Sequence, residues 1–219
     1  NNPNLTTLTF ADDAAIAMSA LKISNTRIGE KGLDFSKMPE LGSLVCVSSG
    51  FSQIDVSTNL WLYELNCAKN SLTTLDVSKN IYLEDLDCSE NRITSLTLPG
   101  QQTPQPQRAK LFSVLFALFS NESDDNVTPV EGTSAVVKLK SLDCSQNRLQ
   151  ELDAAVCTQL ESLRCTDNGQ DSSLQLNVAT INDLALTAIG TKLSINAKDG
   201  SANNGFAFDG ILPAALADI

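Results

Sequence analysis

Six cysteines and several closely spaced carboxylates are the side chains of this sequence that could do chemistry, and there is no histidine to assist them. Cysteine can bridge, hold a metal or attack as a thiolate, and paired carboxylates can act as acid and base on a glycosidic bond. The missing histidine removes Ser–His and Cys–His nucleophile pairs, imidazole acid–base chemistry and imidazole metal ligands. The spacing of the cysteines points away from chemistry altogether. Cys46, Cys67 and Cys88 lie 21 residues apart, as do Cys144 and Cys165. No C-x-x-C pair is present for zinc. A fixed period puts one cysteine at the same place in each copy of a repeated unit. The expectation is a ladder of five buried free thiols, a role that suits a small apolar side chain. Neighbours about 4.8 Å apart could be bridged, but side chains running side by side under leucines argue against it. Cys157 falls outside the period, on a turn, where partial exposure is expected.

The elements that carry these residues repeat with the same period. The clearest copy has Leu62, Leu65, Cys67, Asn70, Leu72 and Leu75, followed by Asp76, Val77, Ser78 and Asn80. Leu83, Leu86, Cys88, Asn91, Ile93 and Leu96 repeat it, and Leu41, Leu44, Cys46, Phe51, Ile54 and Asp55 precede it. Leu139, Leu142, Cys144, Asn147 and Leu149 resume the frame, then Leu160, Leu163, Cys165 and Asn168. Degenerate copies surround Leu21 and Leu184.

The frame L-x-x-L-x-C-x-x-N-x-L-x-x-L resembles the leucine-rich repeat family, with cysteine where that family usually has leucine. Its short length and its Leu-Asp-Val-Ser-x-Asn half are similar to repeats of bacterial secreted and surface proteins, Bacteroidetes-type and more distantly internalin-like. The resemblance implies an α/β repeat solenoid, rich in β. It would be a right-handed coil with a parallel sheet on the concave face and little helix on the convex face. It also implies protein or glycan recognition and an extracellular or cell-surface location, with a signal or lipoprotein segment removed.

The residues independently give a reason for the coil. One repeat cannot bury its own apolar face, and stacked copies can. Leu65 and Cys67 are two apart, the period of a strand, so they should point inward while Glu64 and Asn66 point outward. Leu75 and Val77 would close the opposite wall. Asn70, Asn91, Asn147 and Asn168 stand where the chain leaves the strand, and an amide can satisfy turn groups that the sheet no longer pairs. Asp55 and Asp76 are read as caps of the second turn.

Outward positions read across the copies include Lys22 and Ser24 or their neighbours, then Ser43, Glu64, Asn66, Asp85, Asp87, Ser141, Asp143 and Arg164. The binding candidates are Glu64, Asn66, Asp85, Asp87, Asp143 and Arg164. An acidic strip of this kind would steer basic proteins, peptides or cations. The alternative is a solvated face whose charge prevents sheet stacking. A carboxylate-based hydrolase using the same acids is the competing reading, as is a structural spacer of a larger protein. No metal site and no cofactor is expected; the acidic stretch after Asp167 lacks a full calcium ligand set.

Repeats span 18–98 and 139–195, between an N-terminal cap at 1–17 and a C-terminal cap at 196–219. The phase breaks at 99–138. A polar loop there leads to an apolar run at 111–119, read as a helix packed on the solenoid or as a degenerate repeat strand. A net charge of −11 argues against nucleic acid, which needs clustered Lys and Arg. No apolar run reaches the roughly 18–20 residues of a membrane span. A monomer that binds through its concave face is the expectation.

Overall fold

The computed structural model describes residues 2–10, 17–101, 136–169, 173–201, 206–208 and 210–212. They form a parallel β-solenoid of about seven turns. Strands are numbered in chain order. The main sheet contains β1 (Ala20–Lys22), β2 (Ser43–Val45), β3 (Glu64–Asn66), β5 (Asp85–Asp87), β7 (Ser141–Asp143), β9 (Ser162–Arg164) and β11 (Ala185–Thr187), all parallel. An antiparallel strand, β14 (Ile211–Leu212), closes the end after β11. The opposite wall is built from β4 (Thr74–Asp76) with β6 (Ser95–Thr97), and from β8 (Glu151–Ala154), β10 (Leu174–Val178), β12 (Leu193–Ala197) and β13 (Phe206–Phe208). Helix among the described residues is confined to two single 3₁₀ turns, Ile28–Glu30 and Phe35–Lys37. A coil of 21 residues leaves room for little more.

Register follows the frame. Leu44 is level with Leu65, Leu65 with Leu86, Leu86 with Leu142 and Leu142 with Leu163. These leucines and the five periodic cysteines are buried, as are Leu75, Val77, Leu96 and Leu98 of the other wall. Two files of side chains therefore fill one continuous core. The upstream copy aligns Ala20 with Ser43, so Ala20 and Lys22 face outward, and Ser24 lies beyond the strand.

Asparagine holds consecutive coils together. Asn91 Nδ2 donates to the carbonyls of Cys67 and Cys88, each at 3.0 Å, while its Oδ1 accepts from Leu72 N at 3.0 Å. Asn70, Asn147 and Asn168 repeat the arrangement, one coil along each time. Ser49 and Thr191 take the slot at either end and use hydroxyls to reach Ile23 O and Cys165 O. The residue just before the slot adopts a left-handed backbone in Ser48, Lys69, Glu90, Gln146 and Asp167, with φ between 52° and 59°. That conformation is unfavourable for a residue with a Cβ. The amide bonds on both sides are what hold it.

The sequence break between the two repeat blocks does not interrupt the main sheet. β5 pairs directly with β7, so no strand of the intervening segment lies between them. Cys88 and Cys144 are consequently neighbours in the ladder. The segment leaves after β6 and returns at Val137, and its two ends meet: a Cβ on Gly100 would lie 2.6 Å from Val137 Cγ2. Gly100 has φ +77°, so glycine is required there on both counts. Gln101 Nε2 also donates to Asp153 O, across the break. The apolar run at 111–119 lies outside the described residues, as do Asp12 and Asp13 of the N-terminal end and residues 170–172.

All six cysteines are buried and unbridged. Cys157 is a correction: it is 2% exposed, because its turn tucks it beneath the second wall. Burial pushes the Cys46, Cys157 and Cys165 thiols up to about 12, and Cys67, Cys88 and Cys144 well above their ordinary value. Two outcomes are expected. Ellman's reagent should leave the native protein unlabelled and titrate six thiols in denaturant; rapid labelling of the folded chain would contradict the buried ladder. Asn147→Ala should lower unfolding free energy by about 2–3 kcal/mol in urea titration, since it leaves buried carbonyls and an N–H unpaired.

Candidate functional site

The outer face of the main sheet presents two rows of side chains. One row reads Ala20, Ser43, Glu64, Asp85, Ser141, Ser162 and Ala185. The other reads Lys22, Val45, Asn66, Asp87, Asp143, Arg164 and Thr187. The six candidates from the sequence come together here. Glu64, Asn66, Asp85, Asp87, Asp143 and Arg164, with Ser141, line a shallow open depression of about 240 Å³.

These carboxylates are not equivalent. Asp87 Oδ1 accepts from Ser89 N and Ser89 Oγ, at 3.1 and 2.6 Å, and so caps the turn that ends its own strand. Asp143 Oδ1 accepts from Ser145 N, and Asn66 Oδ1 from Ala68 N, in the same way. Their second atoms reach along the row. Asn66 Nδ2 donates to Asp87 Oδ2 at 3.0 Å, and Arg164 Nε lies 3.2 Å from Asp143 Oδ2. Glu64 accepts from Ser43 Oγ at 2.6 Å. The Asp85 side chain is exposed and accepts no hydrogen bond among the described residues, although its charge acts on the nearby Lys140 ammonium. The second row thus does structural work with one oxygen of each carboxylate, and the first row offers its acids mainly to solvent. Asp55 and Asp76, on the opposite wall, cap turns through Ser57 N and Ser78 N, each at 2.9 Å.

A margin that sequence reasoning missed runs beside the first row. Trp61 and Tyr82 occupy one slot in successive coils, and their rings stack at 5.4 Å with 19° between planes. Lys138, in the same slot of the next coil, sets its ammonium 5.1 Å from the Tyr82 ring centre. Tyr63, next to Glu64, is 51% exposed and lies over Gly42, where a Cβ would be 2.8 Å from its ring. In the Tyr63 slot of the following coils stand Glu84 and Lys140, paired at 2.8 Å. The hydrogen bond from Lys140 holds the Glu84 carboxyl below the usual carboxylate range. One signal was available in the sequence: the single tryptophan and both tyrosines fall between positions 61 and 82.

The depression is open, and among the described residues nothing closes over its acids; separating two carboxyl groups into acid and base calls for a drier site. A recess beside Cys157 measures about 10 Å³, room for one water. Among the described residues no group of three or more His, Cys, Asp or Glu is placed to hold a metal ion. No helix among them is long and apolar enough to cross a membrane.

Coil, core and open polar face define a parallel β-solenoid built on a repeated leucine, cysteine and asparagine frame. No protein-family model and no curated protein sequence matches the chain. Among solved structures it is similar to the functional domain of InlJ from Listeria monocytogenes, which includes a cysteine ladder. Identity is 25%, the TM-score is 0.39, and 84% of this chain and 46% of that one are covered. It is also similar to the leucine-rich repeat domain of APL1B, at 15% identity and TM-score 0.41, over 74% and 45% of the two chains. Human 5T4, a trophoblast glycoprotein, follows at 14% identity and TM-score 0.30, over 78% and 76%. The chain thus spans about half the length of the first two proteins it matches.

The division of labour between the rows is measurable. Asp85→Ala should change stability by less than about 0.5 kcal/mol, as an exposed residue whose side chain makes no hydrogen bond among the described residues. Asp87→Ala removes a turn cap and should cost about 1 kcal/mol. Urea titrations of both variants compare them directly; equal costs would mean that the rows are not distinct.

Proposed function

We propose that this protein is a non-enzymatic recognition scaffold that binds a protein or glycan partner through the open face of its main sheet. The observation that carries the reading is the acidic depression of Glu64, Asp85, Asp87 and Asp143 on a rigid sheet. Backbone pairing fixes the spacing of those side chains at about 4.8 Å between strands. A partner therefore meets a preorganised array and has little ordering to drive. Carboxylates in this density favour partners with positive charge or many hydroxyl donors, and disfavour phosphate backbones. No cofactor enters the reading. The protein acts as a monomer, and the likeness of its repeat to bacterial surface repeats favours an extracellular or cell-surface setting.

Asparagine offers a clean test. Asn66 caps its turn with Oδ1 just as the neighbouring aspartates do. Asp85→Asn, Asp87→Asn and Asp143→Asn combined should therefore remove charge and keep each turn cap; the acceptors of Asn66 Nδ2 and Arg164 Nε are lost at a cost of about 1 kcal/mol each, which leaves the chain folded, as circular dichroism would register. Protein and glycan arrays probed with the native chain should give ligands that this variant loses. An unchanged binding profile would overturn the role of the face.

A further inference from the structure

We propose that the exposed Trp61–Tyr63 margin and the adjoining acids form a seat for arginine side chains of an extended basic peptide segment. The proposal rests on the reading of the open face given above and names its partner class.

The surface already shows what it accepts. Towards β7 and β9 its seats hold cations from the chain itself. Lys138 covers the Tyr82 ring, Lys140 pairs with Glu84, and Arg164 pairs with Asp143. Towards β2 and β3 the same chemistry continues without a cation. Trp61 stacks on Tyr82 with one face and remains 38% exposed. By register, the slot before Trp61 belongs to Glu40, which is exposed and makes no ion pair among the described residues. Tyr63 is half-exposed beside Glu64, and Asp85 follows on the next strand, its carboxylate hydrogen-bonded to nothing among the described residues and facing only the outlying charge of Lys140, which pairs with Glu84. Aromatic faces flanked by carboxylates are what a guanidinium uses, stacking its plane on the ring and forking its N–H groups to the acid. The chain's own charge is −11, so long-range attraction favours the same partner.

Geometry favours an extended segment. The stretch of face from β2 to β7 covers about 15 Å at the parallel-strand spacing, the span of about five residues of extended chain. Alternate side chains of such a segment would point to the same side and reach the margin and the depression in turn. Tyr82 is engaged by Trp61 and Lys138, so the rings left open are those of Trp61 and the exposed side of Tyr63, with Glu40 and Glu64 in the neighbouring slots; it is this charge, more than the rings, that favours a guanidinium over a neutral sugar.

Trp61 is the sole tryptophan and reports on its own seat. The full chain would be titrated with a peptide of alternating arginine and alanine, with its citrulline isostere, and with a neutral β-glucan oligosaccharide. Calorimetry gives the affinity and Trp61 fluorescence the location. The arginine peptide should bind and shift Trp61 emission, and the uncharged citrulline peptide should bind at least about tenfold more weakly. Trp61→Ala should weaken the arginine peptide about tenfold with an unchanged circular dichroism spectrum. Arginine-peptide binding that is lost in the Asp85→Asn, Asp87→Asn, Asp143→Asn variant but unchanged in Trp61→Ala would overturn the aromatic seat and leave the open-face reading standing. Trp61-dependent binding of the oligosaccharide with none of the arginine peptide would overturn the peptide assignment, and again leave that reading standing. Absence of arginine-peptide binding at millimolar concentration overturns the inference, while the array comparison judges the open face separately.

Discussion

The interaction on which this molecule depends is the asparagine amide that ties each coil to the one before. The backbone leaving the strand still bonds to the next coil, as from Lys69 N to Ser89 O, but groups such as the Cys67 and Cys88 carbonyls and Leu72 N are left to the asparagine side chains. The amide supplies two donors to carbonyls of adjacent coils and one acceptor to an N–H of the previous coil. That satisfies groups whose burial without a partner would be costly, and it keeps one residue per turn in a left-handed backbone. Because each amide spans two coils, the turns stack in one register only. The leucine and cysteine files are aligned as a result, and so are the outward rows that make up the open face.

The second half of the coil handles the same problem with less symmetry. Asn59 and Asn80 donate to carbonyls of the preceding turns, but their Oδ1 atoms are buried with no hydrogen-bond partner among the described residues. In this slot the following coils carry Gln101 and then Cys157. The file of amides stops where the long segment departs. Cys157 is thus the apolar end of a polar series, which explains why it is buried although its slot belongs to a turn.

Most of the fold was legible because every periodic residue has a local physical task. Leu65 and Cys67 are inward by strand alternation, Asn70 is a turn residue by its amide, and Asp76 is a cap by its distance from Ser78. Each of these readings needs only the neighbouring repeat. What escaped were features set by register between coils at non-periodic residues. Trp61, Tyr82 and Lys138 share a slot, but their side chains differ, so no pattern drew attention to them. The acids of the face were found as a group, yet their unequal roles depend on serines and a main-chain N–H two residues downstream. Nothing in a charge count separates Asp85 from Asp87.

The meeting of Gly100 and Val137 has a consequence for how such a chain can change over generations. When the two ends of a departing segment touch, the entropy of closing it rises only with the logarithm of its length, about 0.6 kcal/mol for each doubling. The sheet beneath does not register what is added, because β5 and β7 pair across the gap. This corner of the coil is therefore a place where sequence can be gained, lost or exchanged at small thermodynamic cost. The repeats on either side keep their register in the main sheet, at 21 residues from β2 to β3 to β5 and from β7 to β9, and at 23 in the first and last coils.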